Sequence, residues 1–142
     1  MRKKLLVIED ETIDVLSIGR VLKQQFPNVS LEIVSTGEQA LDWIQRFRSD
    51  EAQMICLVLT DLTIPRMSGL NLIAEFKAHK QLRNAPVVVF SSRDDPAAVK
   101  SAYDSGASGY VVKPETPAKM REVLNTTLNY WLGANRLPSP NA

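Results

Sequence analysis

Reactive side chains follow four separate apolar runs in this chain: Glu9-Asp10-Glu11, then Asp61, then Ser91-Ser92, then Lys113-Pro114. If the fold gathers those run ends, carboxylates, a hydroxyl and an ammonium converge on one place. Crowded carboxylates repel one another and raise each other's pKa unless a cation lies between them. A hard divalent ion resolves that conflict, because Mg²⁺ is held by one or two carboxylates together with waters and phosphate oxygens. Lys113 and a serine hydroxyl then supply a positive charge and a donor for a group with several anionic oxygens. Singly, each residue has a plainer reading: the acidic run as a solvated loop, Asp61 as a turn residue, Lys113 as a surface lysine, Ser91 as a helix cap. Their joint placement is the signal.

The elements that must position them alternate. Short β-branched runs at residues 5–8, 31–34, 55–59, 87–90 and 110–112 are separated by longer stretches with helical spacing. Runs that are apolar almost throughout suit strands covered on both faces, as in a parallel sheet. The helices have readable ends. Thr36-Gly37-Glu38-Gln39 reads as a capping box, with Trp43, Ile44 and Phe47 on one side of the helix that follows. Ser68 can cap a helix carrying Leu72, Ile73 and Phe76. Asp95-Pro96 and Thr116-Pro117 each put a capping residue before a proline at the first helical position, and Gly106 suits a left-handed stop. Five βα units joined by right-handed crossovers predict an α/β fold: an open, doubly wound, five-stranded parallel sheet of flavodoxin-like type with strand order 2-1-3-4-5. In such sheets the ligand site lies beyond the carboxyl ends of the strands, where all four groups fall.

Composition narrows the function. With 142 residues the chain suits one domain, expected over residues 1–132, with 133–142 as an extended C-terminal tail. Lys plus Arg number 17 and Asp plus Glu 16, so no bulk positive field favours nucleic acid. The single cysteine, Cys56, excludes an internal disulfide and a Cys-rich zinc site, suits a reducing compartment, and reads as a small core residue. The apolar stretch 5–8 ends at Glu9 and is too short for a signal-peptide core or a membrane span, so cytoplasmic residence is expected. There is no G-x-x-x-x-G-K-[ST] loop and no G-x-G-x-x-G after the first strand, so neither NTPase nor dinucleotide chemistry is supported. The sole histidine, His79, falls in the third helix, away from the strand ends, and reads as an exposed helix residue.

These residues resemble the CheY-like receiver domains of two-component response regulators. The matching pieces are Val7-Ile8-Glu9-Asp10, the run Val58-Leu59-Thr60-Asp61-Leu62-Thr63-Ile64-Pro65-Arg66-Met67-Ser68-Gly69, then Val87-Val88-Val89-Phe90-Ser91-Ser92, and Gly106-Ala107-Ser108-Gly109-Tyr110-Val111-Val112-Lys113-Pro114. The resemblance implies that Asp61 accepts a phosphoryl group from a histidine kinase. It implies Mg²⁺ held by Glu9, Asp10, Asp61 and the backbone carbonyl of Thr63. It further implies that Ser91 and Lys113 contact phosphoryl oxygens, that Tyr110 rotates inward as the hydroxyl moves, and that the Lys113–Pro114 bond is cis. Glu9 stands where many members have Asp, and Ser91 where many have Thr; both keep the chemistry. Thr63 and Arg93 occupy positions that tune phosphoryl lifetime in the family.

Leu124, Leu128, Trp131 and Leu132 continue an apolar stripe beyond the length one core needs. Asn129-Tyr130-Trp131-Leu132 with Leu137-Pro138 resembles the tail of single-domain regulators paired with cyanobacterial and bacterial phytochromes. A homodimer interface of Leu128, Trp131 and Leu132 is the expectation, with core packing an equal reading for Leu128. The function expected is a stand-alone receiver acting through a downstream protein, with no action on outside substrates. A pseudo-receiver scaffold that binds partners without phosphorylation is the alternative, and a metal-dependent phosphatase a third.

Overall fold

A computed structural model describes residues 2–48, 53–65 and 67–138. Its elements run β1 (Arg2–Ile8), α1 (Thr12–Gln25), β2 (Ser30–Val34), α2 (Gly37–Arg46), β3 (Gln53–Thr60), a two-stranded hairpin of β4 (Thr63–Ile64) and β5 (Met67–Ser68), α3 (Gly69–Ala78), β6 (Val87–Ser91), α4 (Pro96–Asp104), β7 (Gly109–Val112) and α5 (Pro117–Leu128). The main sheet has the order β2-β1-β3-β6-β7 with every pair parallel. Counting its five strands alone, this is the expected 2-1-3-4-5 doubly wound, flavodoxin-like sheet.

The apolar runs become strands buried on both faces because successive side chains point to opposite sides. Leu6 and Ile8, Val58, and Val87 and Val89 join a cluster under α2, α3 and α4. Leu5 and Val7, Leu57 and Leu59, and Val88 and Phe90 join the other, under α1 and α5. One irregularity breaks the alternation: opposite Lys4 and Leu5 of β1 stand Ile55 and Leu57 of β3, leaving Cys56 as the extra residue of a bulge. Cys56 is buried, its thiol lies 3.1 Å from the Lys4 carbonyl, and burial pushes its pKa up to about 11, as befits a packing residue.

The capping signals hold. Thr36, Ser68, Asp95 and Thr116 accept from the backbone N–H groups of Gln39, Leu70, Ala98 and Lys119. The Gln39 side chain reaches back one residue further than a capping box requires, accepting from the Ser35 N–H at 2.9 Å. Gly106 has φ +110°, the left-handed stop that its position required. His79 proves to be the residue that ends α3; it is half-buried and its ring meets the edge of Phe47.

The chain's end differs from expectation. Helix α5 passes directly into a π-helical turn, Asn129–Ala134, so no extended tail begins at Gly133. Leu128 and Leu132 are buried in the cluster under α1 and α5, and Trp131 and Leu137 pack against it. Trp131 also covers Gly109 of β7, where an added Cβ would sit 3.3 Å from its ring. The apolar stripe therefore serves the chain's own core, which corrects the dimer reading for Leu128 and Leu132: neither side chain is offered to a partner. Residues 139–142 lie outside the described residues.

Candidate functional site

The site sits at the carboxyl ends of β1, β3, β6 and β7. Backbone bonds carry the ladder just past the strands: the Glu9 N–H donates to the Val34 carbonyl at 3.0 Å, the Asp61 N–H to the Ile8 carbonyl at 3.1 Å, and the Lys113 N–H to the Ser91 carbonyl at 2.8 Å. Glu9, Asp61, Ser91 and Lys113 are thus fixed by the sheet itself. Beneath Asp61 the start of α3 comes so near that only glycine fits. A Cβ on Gly69 would lie 2.4 Å from the Asp61 carbonyl oxygen and 2.8 Å from the Leu62 Cα, while the Gly69 N–H donates to the Leu62 carbonyl.

Lys113 is the centre of the arrangement. Its Nζ lies 2.5 Å from Glu9 Oε1, 2.8 Å from Asp14 Oδ2 and 2.9 Å from Asp61 Oδ2. Its side chain is 9% exposed, and the ammonium also stands 5.5 Å from the centre of the Phe90 ring. Burial works against the lysine's charge, but Asp14, Glu9 and Asp61 together outweigh it and raise its pKa above the usual lysine range. Glu9 is 2% exposed, and burial pushes its carboxyl up to about 7 against the pull of Lys113. Its Oε2 accepts from the Asp10 and Glu11 N–H groups at 3.1 and 3.3 Å.

The two oxygens of Asp61 are not equivalent. Oδ1 accepts from the Leu62 and Thr63 N–H groups at 2.7 and 3.3 Å, whereas among the described residues Oδ2 meets one side-chain donor, Lys113. The first oxygen orients the carboxylate and the second is left to react.

A second cluster lies on the β6–α4 loop. Ser91 is buried and its Oγ accepts from the Arg93 N–H at 3.2 Å. Tyr110 donates its hydroxyl to the Arg93 carbonyl at 2.8 Å, and burial raises its phenol pKa. Arg93 in turn pairs with both oxygens of Asp95, the residue that caps α4. Ser91, Tyr110 and the start of α4 are therefore tied through one residue.

Of the residues expected to meet, the structure joins Glu9, Asp61 and Lys113, and separately Ser91 and Tyr110. Asp10 is exposed, and no group of three or more metal-ligating side chains is assembled among the described residues. Glu9 and Asp61 turn instead toward the ammonium between them. The expectation of a cis Lys113–Pro114 bond is corrected: no cis peptide bond occurs among the described residues. The trans form already directs Lys113 onto the carboxylates, and trans is the lower-energy isomer of X-Pro bonds by about 0.5–1 kcal/mol. Asp14 was not foreseen. It stands in the first turn of α1 rather than at a strand end, so no local pattern tied it to the other groups.

The family model for the response regulator receiver domain matches residues 5–125. A probable methanogenesis regulatory protein, FilR2, of Methanothrix harundinacea (strain 6Ac) is 26% identical over 136 residues, 96% of this chain and 88% of that protein. The phosphorylated cyanobacterial phytochrome response regulator RcpA superposes with a TM-score of 0.88 at 25% identity, over 98% of this chain and 100% of that one. The Mn²⁺-bound form of response regulator Rcp1 does so with 0.86 at 26%, over 96% and 99%. The chain belongs to the response regulator receiver domain family, the phosphoacceptor modules of two-component signalling.

Proposed function

We propose that Asp61 Oδ2 is the phosphoryl acceptor of a stand-alone regulator served by a histidine kinase. The observation that carries this reading is the division of labour at Asp61: one oxygen held by two backbone amides, the other against a buried lysine. In the transfer, Oδ2 attacks phosphorus, the P–N bond of the phosphohistidine breaks, and the imidazole nitrogen keeps the electron pair and later takes a proton. Positioning and charge neutralisation are nearly all that such a step asks of the protein.

The donor set fits a divalent cation. Among the described residues Glu9, Asp14 and Asp61 surround a single ammonium, leaving excess negative charge in a largely buried pocket, and Asp10 follows Glu9 as an exposed carboxylate. Glu9, Asp10, Asp61 and the Thr63 carbonyl would hold Mg²⁺, which when bound neutralises charge on the transferring group. Lys113 keeps the acceptor oriented and then contacts a phosphoryl oxygen. Ser91 releases the Arg93 amide to donate its hydroxyl to another, and Arg93, Tyr110 and the α4 cap shift with it. The output is a protein-binding surface around α4, β7 and α5, with no chemistry on outside substrates. The likeness to RcpA over almost the full chain supports a phytochrome-type kinase as donor. A cytoplasmic setting goes with this role; among the described residues no helix is long and apolar enough to cross a membrane. A pseudo-receiver scaffold would have no use for a lysine buried against the acceptor.

Incubation with Mg²⁺ and acetyl phosphate, followed by intact-mass measurement, tests the assignment. Wild type should gain one phosphoryl group and Asp61→Asn none. Uptake that persists in the variant would overturn it.

A further inference from the structure

Asp14 is the one carboxylate on Lys113 that the proposed transfer does not use. An ammonium carries three N–H donors, and at Lys113 three carboxylates stand within reach: Glu9, Asp14 and Asp61 at 2.5, 2.8 and 2.9 Å. A phosphoryl group formed on Asp61 brings further acceptor oxygens to a lysine whose donors are already engaged. Bond formation at Oδ2 frees the donor that Asp61 held, and Glu9 has Mg²⁺ to turn to in the proposed site, so the donor on Asp14 is the one that the transfer itself does not free. Asp14 has the most exposed side chain of the three, at 15%. It lies in the first turn of α1, where water can replace the lysine and the helix N-terminus favours its charge.

We propose that Asp14 is a positioning residue that competes with the phosphoryl group for the Lys113 ammonium, holding the lysine in place before transfer and weakening its grip on the product afterwards. The proposal rests on the reading of Asp61 as acceptor. Asp14 opposes the product twice, by occupying a donor and by placing a negative charge beside an anionic group. Removing its charge should therefore tighten the phosphorylated state, whereas removing a merely structural residue should loosen it.

Beryllofluoride with Mg²⁺, a stand-in for the phosphoryl group, gives the measurement by titration calorimetry. Asp14→Asn should bind about fivefold more tightly than wild type, the weight of one partly solvated charge-assisted contact. Asp14→Glu, which keeps the charge, should return affinity toward wild type. In a Lys113→Gln background the Asn substitution should bring a smaller gain, that of the removed charge alone; an undiminished gain would mean that Asp14 acts without the lysine, and would overturn the competition. Unchanged or weaker binding by Asp14→Asn would do the same. A readout without ligand checks the geometry: hydrogen exchange of the Lys113 Nζ protons with water, followed by ¹⁵N NMR, should quicken in Asp14→Asn, and an unchanged rate would count against the contact. If wild type takes up no beryllofluoride, the acceptor reading and this one fall together. If wild type binds, Asp61→Asn does not, and Asp14→Asn is no tighter, only the role of Asp14 falls.

Discussion

Replacing Lys113 with methionine removes a charge while keeping an unbranched apolar side chain of similar length, so stability then reports on the carboxylates left behind. Three contacts of 2.5–2.9 Å are lost at a side chain only 9% exposed. Removing one partner from a buried ion pair costs about 3–5 kcal/mol. Asp61 and Asp14 are the better solvated of the three, and Glu9 can escape by taking up a proton, so the lower end, about 3 kcal/mol, is expected at pH 7.5. The pH dependence carries the sharper test. Glu9 is already raised to about 7 with Lys113 in place, and without the lysine its carboxyl rises further. A carboxyl whose folded pKa lies above its unfolded value contributes stability that is complete below the unfolded value, near 4.5, and is lost as pH rises through the folded one. Lys113→Met should thus lose little at pH 4.5 and progressively more toward and beyond pH 7. Urea unfolding followed by circular dichroism, at several pH values in chelator, measures this directly. A variant whose deficit is the same at pH 4.5 and 7.5 would refute the account, because the cost would then come from packing rather than from stranded charge.

Two further substitutions probe the frame around the site. Gly69→Ala should cost about 1–3 kcal/mol in urea unfolding and slow phosphorylation, because its Cβ would press on the Asp61 carbonyl from 2.4 Å and push the acceptor loop outward; wild-type kinetics in a folded variant would count against a tight loop. Leu132→Ala should lower stability by about 2–5 kcal/mol with no change of mass in light scattering, since the side chain is buried in its own chain. A shift from dimer to monomer without loss of stability would restore the interface reading.

The fold could be read from the chain because its signals are local and redundant. β-branched runs buried on both faces, four capping residues with their bonds in place, and a glycine at φ +110° each name an element without reference to the others. The site was readable for a different reason: a parallel sheet collects whatever follows its strands, so Glu9, Asp61 and Lys113 met once the order was known. What escaped depended on long-range packing. Asp14 belongs to a helix, and only the tilt of α1 against the sheet brings its carboxylate to Lys113. The fate of Leu128 and Leu132 turned on how much uncovered sheet remained beneath α5, a quantity that no periodicity encodes. The Lys113–Pro114 isomer likewise follows from the local path of the chain rather than from residue type.

The π-helical turn after α5 carries the backbone under the sheet. There, Trp131 and Leu132 line a cavity with Lys3, Met54 and Cys56, residues at the starting ends of β1 and β3. The acceptor stands at the finishing ends of those same strands. Anything joined after Pro138, a fluorophore or a surface anchor, would therefore be attached at the pole opposite Asp61, leaving the mouth of the site open to a kinase while the molecule is held by its other end.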